Sequence, residues 1–160
     1  MSASPGSQNT HVSDNRAQGR WSHTYAALDL GTNNCRLLVA KPNHEGFRVV
    51  DAFSRIVRLG EGLGASNALS AKAMDRTIEA LQVCQSKIQR NGVTRLCAVA
   101  TEACRRAENG DQFVTRVRKE TEINLEIIAP QEEAELALVG CSPLYDVPQT
   151  PESYALLFDI

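Results

Sequence analysis

Residues 25–57 read YAALDLGTNNCRLLVAKPNHEGFRVVDAFSRIV, and this stretch decides the fold. Three β-prone runs, at 25–30, 36–40 and 47–57, are separated by two short segments rich in Gly, Asn and other turn residues. Short runs of this kind broken by turn residues are typical of consecutive antiparallel strands. The stretch therefore predicts that the domain begins with a three-strand meander.

The rest of the chain alternates helical and strand patterns. Residues 60–67 are expected to form a loop, Ser70 to cap a helix whose apolar residues follow one face, and Asn91-Gly92 to end that helix. The later predicted elements are a strand at 94–100, a helix after Asp111, a strand at 125–129, a helix from Pro130 to Gly140 and a last strand at 154–160. This order predicts an α/β fold with a mixed sheet, right-handed parallel crossovers and flanking helices.

The two ends of the chain differ from its middle. Residues 1–23 contain few large apolar side chains, so we expect a disordered tail followed by one α/β domain at 24–160. The last predicted strand, 154–160, has no turn or helix after it. Because an apolar strand is rarely left as an uncovered edge, we expect the chain to be the front part of a longer protein, with its domain truncated.

Composition and net charge limit the classes of protein to which this chain can belong. The chain is 42% hydrophobic and 22% charged, which is the balance of a globular protein. No apolar run has the length of a signal peptide core or a membrane span, so we expect a cytoplasmic protein without a membrane partner. A formal charge of −2 argues against nucleic acid as the main partner.

The five cysteines form no Cys-x-x-Cys pair, which favours reduced thiols in a cytosol. Cys35, Cys84 and Cys97 lie in apolar stretches and are expected to be small buried side chains. No redox or metal role is assigned to them.

The first candidate site is the turn that follows Asp29. An apolar strand delivers this acid, and the next residues are Gly31, which permits a tight turn, and the small polar residues Thr32, Asn33 and Asn34. Successive amides and polar side chains could donate hydrogen bonds to phosphate oxygens, and Asp29 could hold a hydrated magnesium ion. Taken alone, such a segment between strands is more often a plain hairpin turn.

Four ordered blocks carry a family resemblance. Residues 29–38 resemble the Asp-x-Gly-Ser-Asn-Ser-x-Arg-Leu opening of the exopolyphosphatase and guanosine pentaphosphate phosphohydrolase family, and 57–63 resemble its Gly-rich segment. Residues 100–110 resemble its Thr-x-Ala-x-Arg-x-Ala-x-Asn block, and 132–134 its paired glutamates. Together the blocks cover nearly everything from residue 25 onward.

Two departures from the family pattern bear on activity. Thr32 stands where Ser is commoner, which is chemically mild. Ala129-Pro130-Gln131 replaces Ser-Gly-x before the paired glutamates, and it removes a hydroxyl and a flexible glycine beside the expected catalytic acid. The C-terminal Phe158-Asp159-Ile160 resembles the start of the family's second phosphate loop, whose Gly-rich continuation is not part of this sequence.

The resemblance implies a ribonuclease-H-like, actin-type ATPase fold, as in the superfamily of actin, heat-shock chaperones and sugar kinases. Two α/β domains of this type hold phosphates in the cleft between them, and this chain would supply one wall. The implied roles are general base for Glu133, magnesium or its waters for Asp29 and Asp159, phosphate contact for Arg105, and a phosphate cradle for Gly31, Thr32, Asn33 and Asn34; Arg36 and Arg58 are weaker candidates.

Each implied role has a structural alternative. Glu133 could simply stabilise the dipole of a helix in its first turn, Arg105 and Arg106 could be an exposed helical pair, and Asp159 could end a strand.

The implied activity is hydrolysis of the terminal phosphoanhydride bonds of inorganic polyphosphate, or of the 5′ phosphate of guanosine pentaphosphate, by water with Mg²⁺. The second substrate would connect the protein to the stringent response. This chain alone is expected to be inactive, and homodimerisation of the full-length protein is left open. Two alternatives stand beside hydrolysis: phosphotransfer from ATP, and a non-catalytic sensor that binds guanosine tetra- or pentaphosphate or polyphosphate.

Overall fold

The structure is a computed structural model that describes residues 23–142. The predicted tail at 1–23, except for His23, and the predicted last strand at 154–160 with its Asp159 lie outside the described residues. Within the described part of the chain, no helix is both long and apolar enough to cross a membrane.

The described residues build one five-stranded sheet. Its strands are β1 (Tyr25–Leu30), β2 (Asn34–Asn43), β3 (Gly46–Ile56), β4 (Arg95–Ala100) and β5 (Glu126–Ile127). Their order across the sheet is β3-β2-β1-β4-β5. The first three strands pair antiparallel and β1-β4-β5 pair parallel. This topology confirms the predicted α/β class, with a mixed ribonuclease-H-like sheet that opens with an antiparallel meander.

Five helices accompany this sheet in residues 23–142. They are α1 (Leu63–Ser66), α2 (Ala71–Arg90), α3 (Glu102–Arg106), α4 (Gly110–Thr121) and α5 (Pro130–Cys141). The segment 60–67, predicted as a loop, therefore contains one helical turn, and α3 was not predicted. Both helices are shorter than two turns, so they display too few apolar positions for a helical period to be visible.

The long helix α2 forms where the sequence predicts it. The Ser70 hydroxyl accepts a hydrogen bond from the Ala73 amide at 3.2 Å, which caps the first turn. At the other end Asn91 is the C-cap and Gly92 adopts a left-handed φ of 59°. Pro130 likewise occupies the first turn of α5, as predicted.

One face of the sheet forms the core. Burial alternates along β1, where Ala26, Leu28 and Leu30 are buried and the residues between them are exposed. The buried side chains pack in one cluster with residues of α2 and α4, such as Leu81 and Phe113. Because alternate strand residues point to opposite faces, Asp29 lies on the other face, away from these helices.

The cysteines follow this division between faces. Cys35 and Cys84 are buried as predicted, with their Sγ atoms 3.9 Å apart. The contact with Cys84, together with burial, raises the pKa of Cys35, so this side chain stays a protonated thiol. The prediction that Cys97 is buried was wrong, because β4 pairs it with Ala27 on the face turned away from the core, where it is exposed.

The fifth strand is shorter than the predicted run at 125–129. Only Glu126 and Ile127 pair with β4, opposite Val99 and Ala100. The flanking residues Leu125 and Ile128 are nevertheless buried, so the apolar run reflects core packing more than strand pairing.

Candidate active site

A cleft of about 480 Å³ lies at the carboxyl ends of the parallel strands β1 and β4. Ligands of open α/β sheets commonly bind at this end of the strands. The β1–β2 turn, the start of α3 and the first turn of α5 form its walls. The lining residues are Asp29, Gly31, Thr32, Asn33, Asn34, Arg36, Thr101, Glu102, Arg105 and Glu133.

The cleft brings together every residue for which the resemblance implies a catalytic, phosphate-binding or metal-binding role, except Asp159, which lies outside the described residues. The weaker candidate Arg36 also lines it, whereas Arg58 does not. The loop after Asp29 and the carboxylate of Glu133 thus lie on the same side of the sheet, as the proposed chemistry requires.

The β1–β2 turn is a hairpin turn whose backbone carbonyls and amides differ in their partners. The Gly31 amide donates to the Asn34 carbonyl at 2.9 Å and closes the turn. The carbonyls of Thr32 and Asn33 face a neighbouring segment, because they accept bonds of 2.8 to 3.0 Å from the amides of residues 57, 58 and 60. The amides of Thr32 and Asn33 donate to no group within residues 23–142. The loop therefore has its acceptors occupied and its donors available, as an anion site requires.

Glu133 is positioned by the first turn of α5. Its amide donates to the Ala129 carbonyl at 3.0 Å, which closes that turn, and its side chain is 32% exposed in the cleft. One carboxylate oxygen, Oε2, accepts hydrogen bonds of 3.2 Å from both Nη1 and Nη2 of Arg105. The other oxygen, Oε1, has no hydrogen-bond partner among the described residues.

Arg105 connects three elements around the cleft. Besides Glu133, its Nη1 donates to the Ile128 carbonyl at 2.7 Å and its Nη2 to Oε2 of Glu102 at 2.8 Å. Partial burial acts to lower the pKa of the guanidinium, but hydrogen bonds to the carboxylates of Glu102 and Glu133 outweigh it and raise that pKa. Arg105 therefore keeps its positive charge inside the cleft.

Two cleft residues, Thr101 and Glu102, were not predicted. Thr101 directly follows β4, and its amide donates to the Leu30 carbonyl at 3.1 Å, so the end of β4 is joined to the end of β1. The available signal was their position immediately after a predicted strand, since residues at the carboxyl ends of neighbouring parallel strands meet at one edge. Glu102 could also have been read as an ordinary first-turn acid of a helix.

The charges of the cleft suit a hard cation that is shared with an anionic ligand. Three carboxylates and two guanidiniums line it, so an incoming phosphate would meet a surplus of negative charge. Within residues 23–142, no three His, Cys, Asp or Glu side chains come close enough to hold a metal ion. Mg²⁺ is commonly held by one or two carboxylates together with substrate phosphates, so the oxygen donors present fit this ion.

Comparison with known proteins identifies the family. The model of the Ppx/GppA phosphatase family matches residues 38–149, which is more than half of the chain. This range contains Arg105 and Glu133 and begins shortly after the β1–β2 turn.

Solved structures of this family share the fold. The Ppx/GppA family member of Aquifex aeolicus is 30% identical, with a TM-score of 0.71 over 75% of this chain and 39% of that chain. An exopolyphosphatase from Cytophaga hutchinsonii is 26% identical, with a TM-score of 0.72 over 76% of this chain and 39% of that chain. The chain thus spans about two fifths of the length of these proteins. It belongs to the Ppx/GppA phosphatase family.

Proposed function

We propose that the protein containing this chain hydrolyses terminal phosphoanhydride bonds of inorganic polyphosphate, or the 5′ phosphate of guanosine pentaphosphate. Membership of the Ppx/GppA phosphatase family supports phosphate-ester or anhydride hydrolysis in general. The observation that carries the proposal is the shared cleft, in which open loop donors face the Glu133 carboxylate.

The β1–β2 turn would hold the scissile phosphate. The free amides of Thr32 and Asn33, with the side chains of residues 32–34, can donate to its oxygens. A hydrogen bond to a charged group contributes roughly 1.5 to 3 kcal/mol net, so a few of these donors suffice for useful binding. Arg36 adds a positive charge at the same wall.

Glu133 would act as the general base. Arg105 holds Oε2, whereas Oε1 is open to the cleft and can accept a proton from the water that attacks phosphorus. In this scheme the proton moves to Oε1, the new P–O bond forms and the anhydride oxygen departs with its electron pair. Holding one oxygen and exposing the other limits the directions in which the base can turn.

Asp29, with Asp159 from outside the described residues, would hold a magnesium ion or its waters. When bound, that ion would neutralise charge on the phosphate oxygens. Asp29 reaches the cleft because it lies on the exposed face of β1, one residue before the strand ends.

The contact between Arg105 and a phosphate oxygen stays a prediction. Nη1 and Nη2 already donate to protein acceptors, so a phosphate would bind Nε or would replace one of these bonds. The side chain of Arg36, by contrast, makes no hydrogen bond or ion pair within the described part of the chain.

The test is Glu133→Gln in the intact protein, assayed for phosphate release from polyphosphate and from guanosine pentaphosphate. Loss of the base should lower kcat by roughly 10² to 10⁴-fold. Glu132→Gln is the matched control, because Glu132 is an exposed neighbour in the same turn that does not line the cleft. A Glu133→Gln enzyme with the wild-type rate would remove the assignment. Tight binding without hydrolysis would favour a sensor, and acceptor-dependent ADP formation would favour phosphotransfer.

A further inference from the structure

Glu102 occupies a decisive position beside the Arg105–Glu133 pair. It is the first residue of α3, three residues before Arg105 on the same helix, and the two form an ion pair of 2.8 Å. This bond is shorter than either bond from Arg105 to Glu133, both of which are 3.2 Å. The guanidinium is therefore held between two carboxylates on different helices.

The four bonds of Arg105 fix the plane of its guanidinium. Nη1 is shared between the Ile128 carbonyl and Glu133, and Nη2 between Glu102 and Glu133. Without Glu102, the guanidinium of Arg105 would have the Ile128 carbonyl as its one remaining partner, apart from Glu133, among the described residues. The group could then rotate or swing toward a stronger acceptor in the cleft. A phosphate is such an acceptor, because guanidinium forks match its oxygens well.

We propose that Glu102 is a positioning residue, which keeps Nη1 and Nη2 of Arg105 on Glu133 and leaves only Nε for an incoming phosphate, so that Glu133 stays aimed into the cleft. This inference rests on the proposed function, because the aim of Glu133 matters only if it is the base. Glu102 itself need not touch the reacting atoms. Arg106 lies 3.5 Å from its second oxygen, Oε1, and helps to orient it.

The proposal predicts an uncommon combination of kinetic effects. Removing Glu102 removes a negative charge from an anion-binding cleft and frees Arg105 to bind phosphate, so substrate binding should tighten. At the same time Glu133 loses its fixed direction, so the chemical step should slow. A merely structural defect would weaken binding and slow the reaction together.

The kinetic test compares Glu102→Gln with wild type in the intact protein. We expect kcat to fall on the order of 10-fold and KM to fall roughly two- to fivefold. Glu102→Asp keeps the charge and should restore most of both values. Glu108→Gln, an exposed acid outside the cleft, should change neither. A Glu102→Gln enzyme with raised KM, or with unchanged kcat, would overturn the proposal.

A second measurement does not depend on hydrolysis. Arginine side-chain NMR of the intact protein should show separate, slowly exchanging Nη signals for Arg105 in the wild type and in Glu108→Gln. These signals should merge in Glu102→Gln, because the fork is free to rotate. Unchanged signals in that variant would refute the positioning role even in an active enzyme. If the signals merge in Glu102→Gln but the wild-type protein hydrolyses no phosphate, the positioning of Arg105 by Glu102 is supported and only the proposed function is refuted.

Discussion

At the scale of single residues, Arg36 is the cleft cation with the clearest capacity for a ligand. It lies on β2 opposite Asp29, and its side chain has no hydrogen bond or ion pair with any residue in 23–142. A guanidinium in this state can bind phosphate without breaking an existing contact.

Arg36→Gln in the intact protein should therefore raise KM about tenfold, with a smaller change in kcat, because one charge-assisted bond is lost. Steady-state phosphate release measures both constants. Arg48→Gln is the control, since Arg48 is an exposed cation on β3 outside the cleft. An unchanged KM would show that Arg36 does not contact the substrate.

Gly60 supports the β1–β2 turn by being small. A Cβ added there would overlap Cγ2 of Thr32, and the Gly60 amide already donates to the Thr32 carbonyl. Gly60→Ala must therefore displace the Thr32 side chain, the turn that carries it or the segment behind it. Overpacking of this kind typically costs about 1 to 3 kcal/mol in the free energy of unfolding.

Urea unfolding of the chain measures this cost, and Gly64→Ala provides the matched control. A Cβ at Gly64 meets nothing within 4 Å, and the residue lies in helix α1. Because alanine is the better helix former, this change should be neutral or stabilising by up to about 1 kcal/mol. Equal effects of the two substitutions would mean that Gly60 does not support the loop.

At the scale of elements, Asp51 attaches the outer strand β3 to the end of α2. Its carboxylate accepts bonds from Lys87 at 2.7 Å, Arg90 at 2.9 Å and Asn91 at 3.0 Å. The hydrogen bond from Lys87, followed by those from Asn91 and Arg90, lowers the pKa of Asp51 well below its ordinary value. The charged form is therefore favoured by folding.

Asp51→Asn should reduce stability in a pH-dependent manner. Because the folded-state pKa is depressed, the contribution of Asp51 is fully present above its unfolded-state pKa of about 3.9. It is lost as the pH falls through the lower, folded-state pKa. The difference in unfolding free energy between wild type and variant should thus be largest near neutral pH and shrink below about pH 4. Urea titrations at several pH values test this, with Glu45→Gln in the exposed β2–β3 turn as control; a difference that is constant with pH would contradict it.

The sequence predicted the long elements better than the short ones. Helix α2 has twenty residues, begins after the Ser70 cap and ends at Asn91-Gly92. The helical spacing of its apolar residues and the residues at its two ends therefore indicate the same helix. Helices α1 and α3 have four and five residues, and contacts with the rest of the domain decide their conformation. Strand identity was predictable for β4, but the side of the sheet that Cys97 faces was not, because a uniformly apolar run does not reveal which alternate residues point to the core.

At the scale of the whole molecule, we propose that the cleft of the described residues forms one wall of a larger site. The chain spans about two fifths of the solved relatives, and Asp159 lies outside the described part. We therefore predict that the 160-residue chain alone releases no phosphate from polyphosphate or guanosine pentaphosphate in the presence of Mg²⁺, whereas the intact protein does. The prediction would be wrong if the 160-residue chain alone released phosphate and Glu133→Gln abolished that release. Such a result would mean that this chain is sufficient for hydrolysis.

The site was predictable from sequence where residues lie in recognisable blocks. Asp29, the loop, Arg105 and Glu133 were selected by resemblance, and the structure brings them to one cleft. Their mutual contacts were not predictable, because Arg105 and Glu133 are 28 positions apart and meet only through the parallel pairing of β4 and β5. For Glu102 the sequence offered only its position directly after a predicted strand, because its contact with Arg105 depends on the direction in which that side chain points.

The central place of β1 has a consequence for the lifetime of the cleft. This strand pairs along its whole length with β2 on one side and β4 on the other, and Leu28 and Leu30 are 1% exposed. Strands with partners on both sides are generally the last to open in native-state hydrogen exchange, whereas edge strands such as β3 fray first. The β1–β2 turn is therefore expected to sit on the slowest-exchanging part of the described sheet and to keep its shape when the outer strands open.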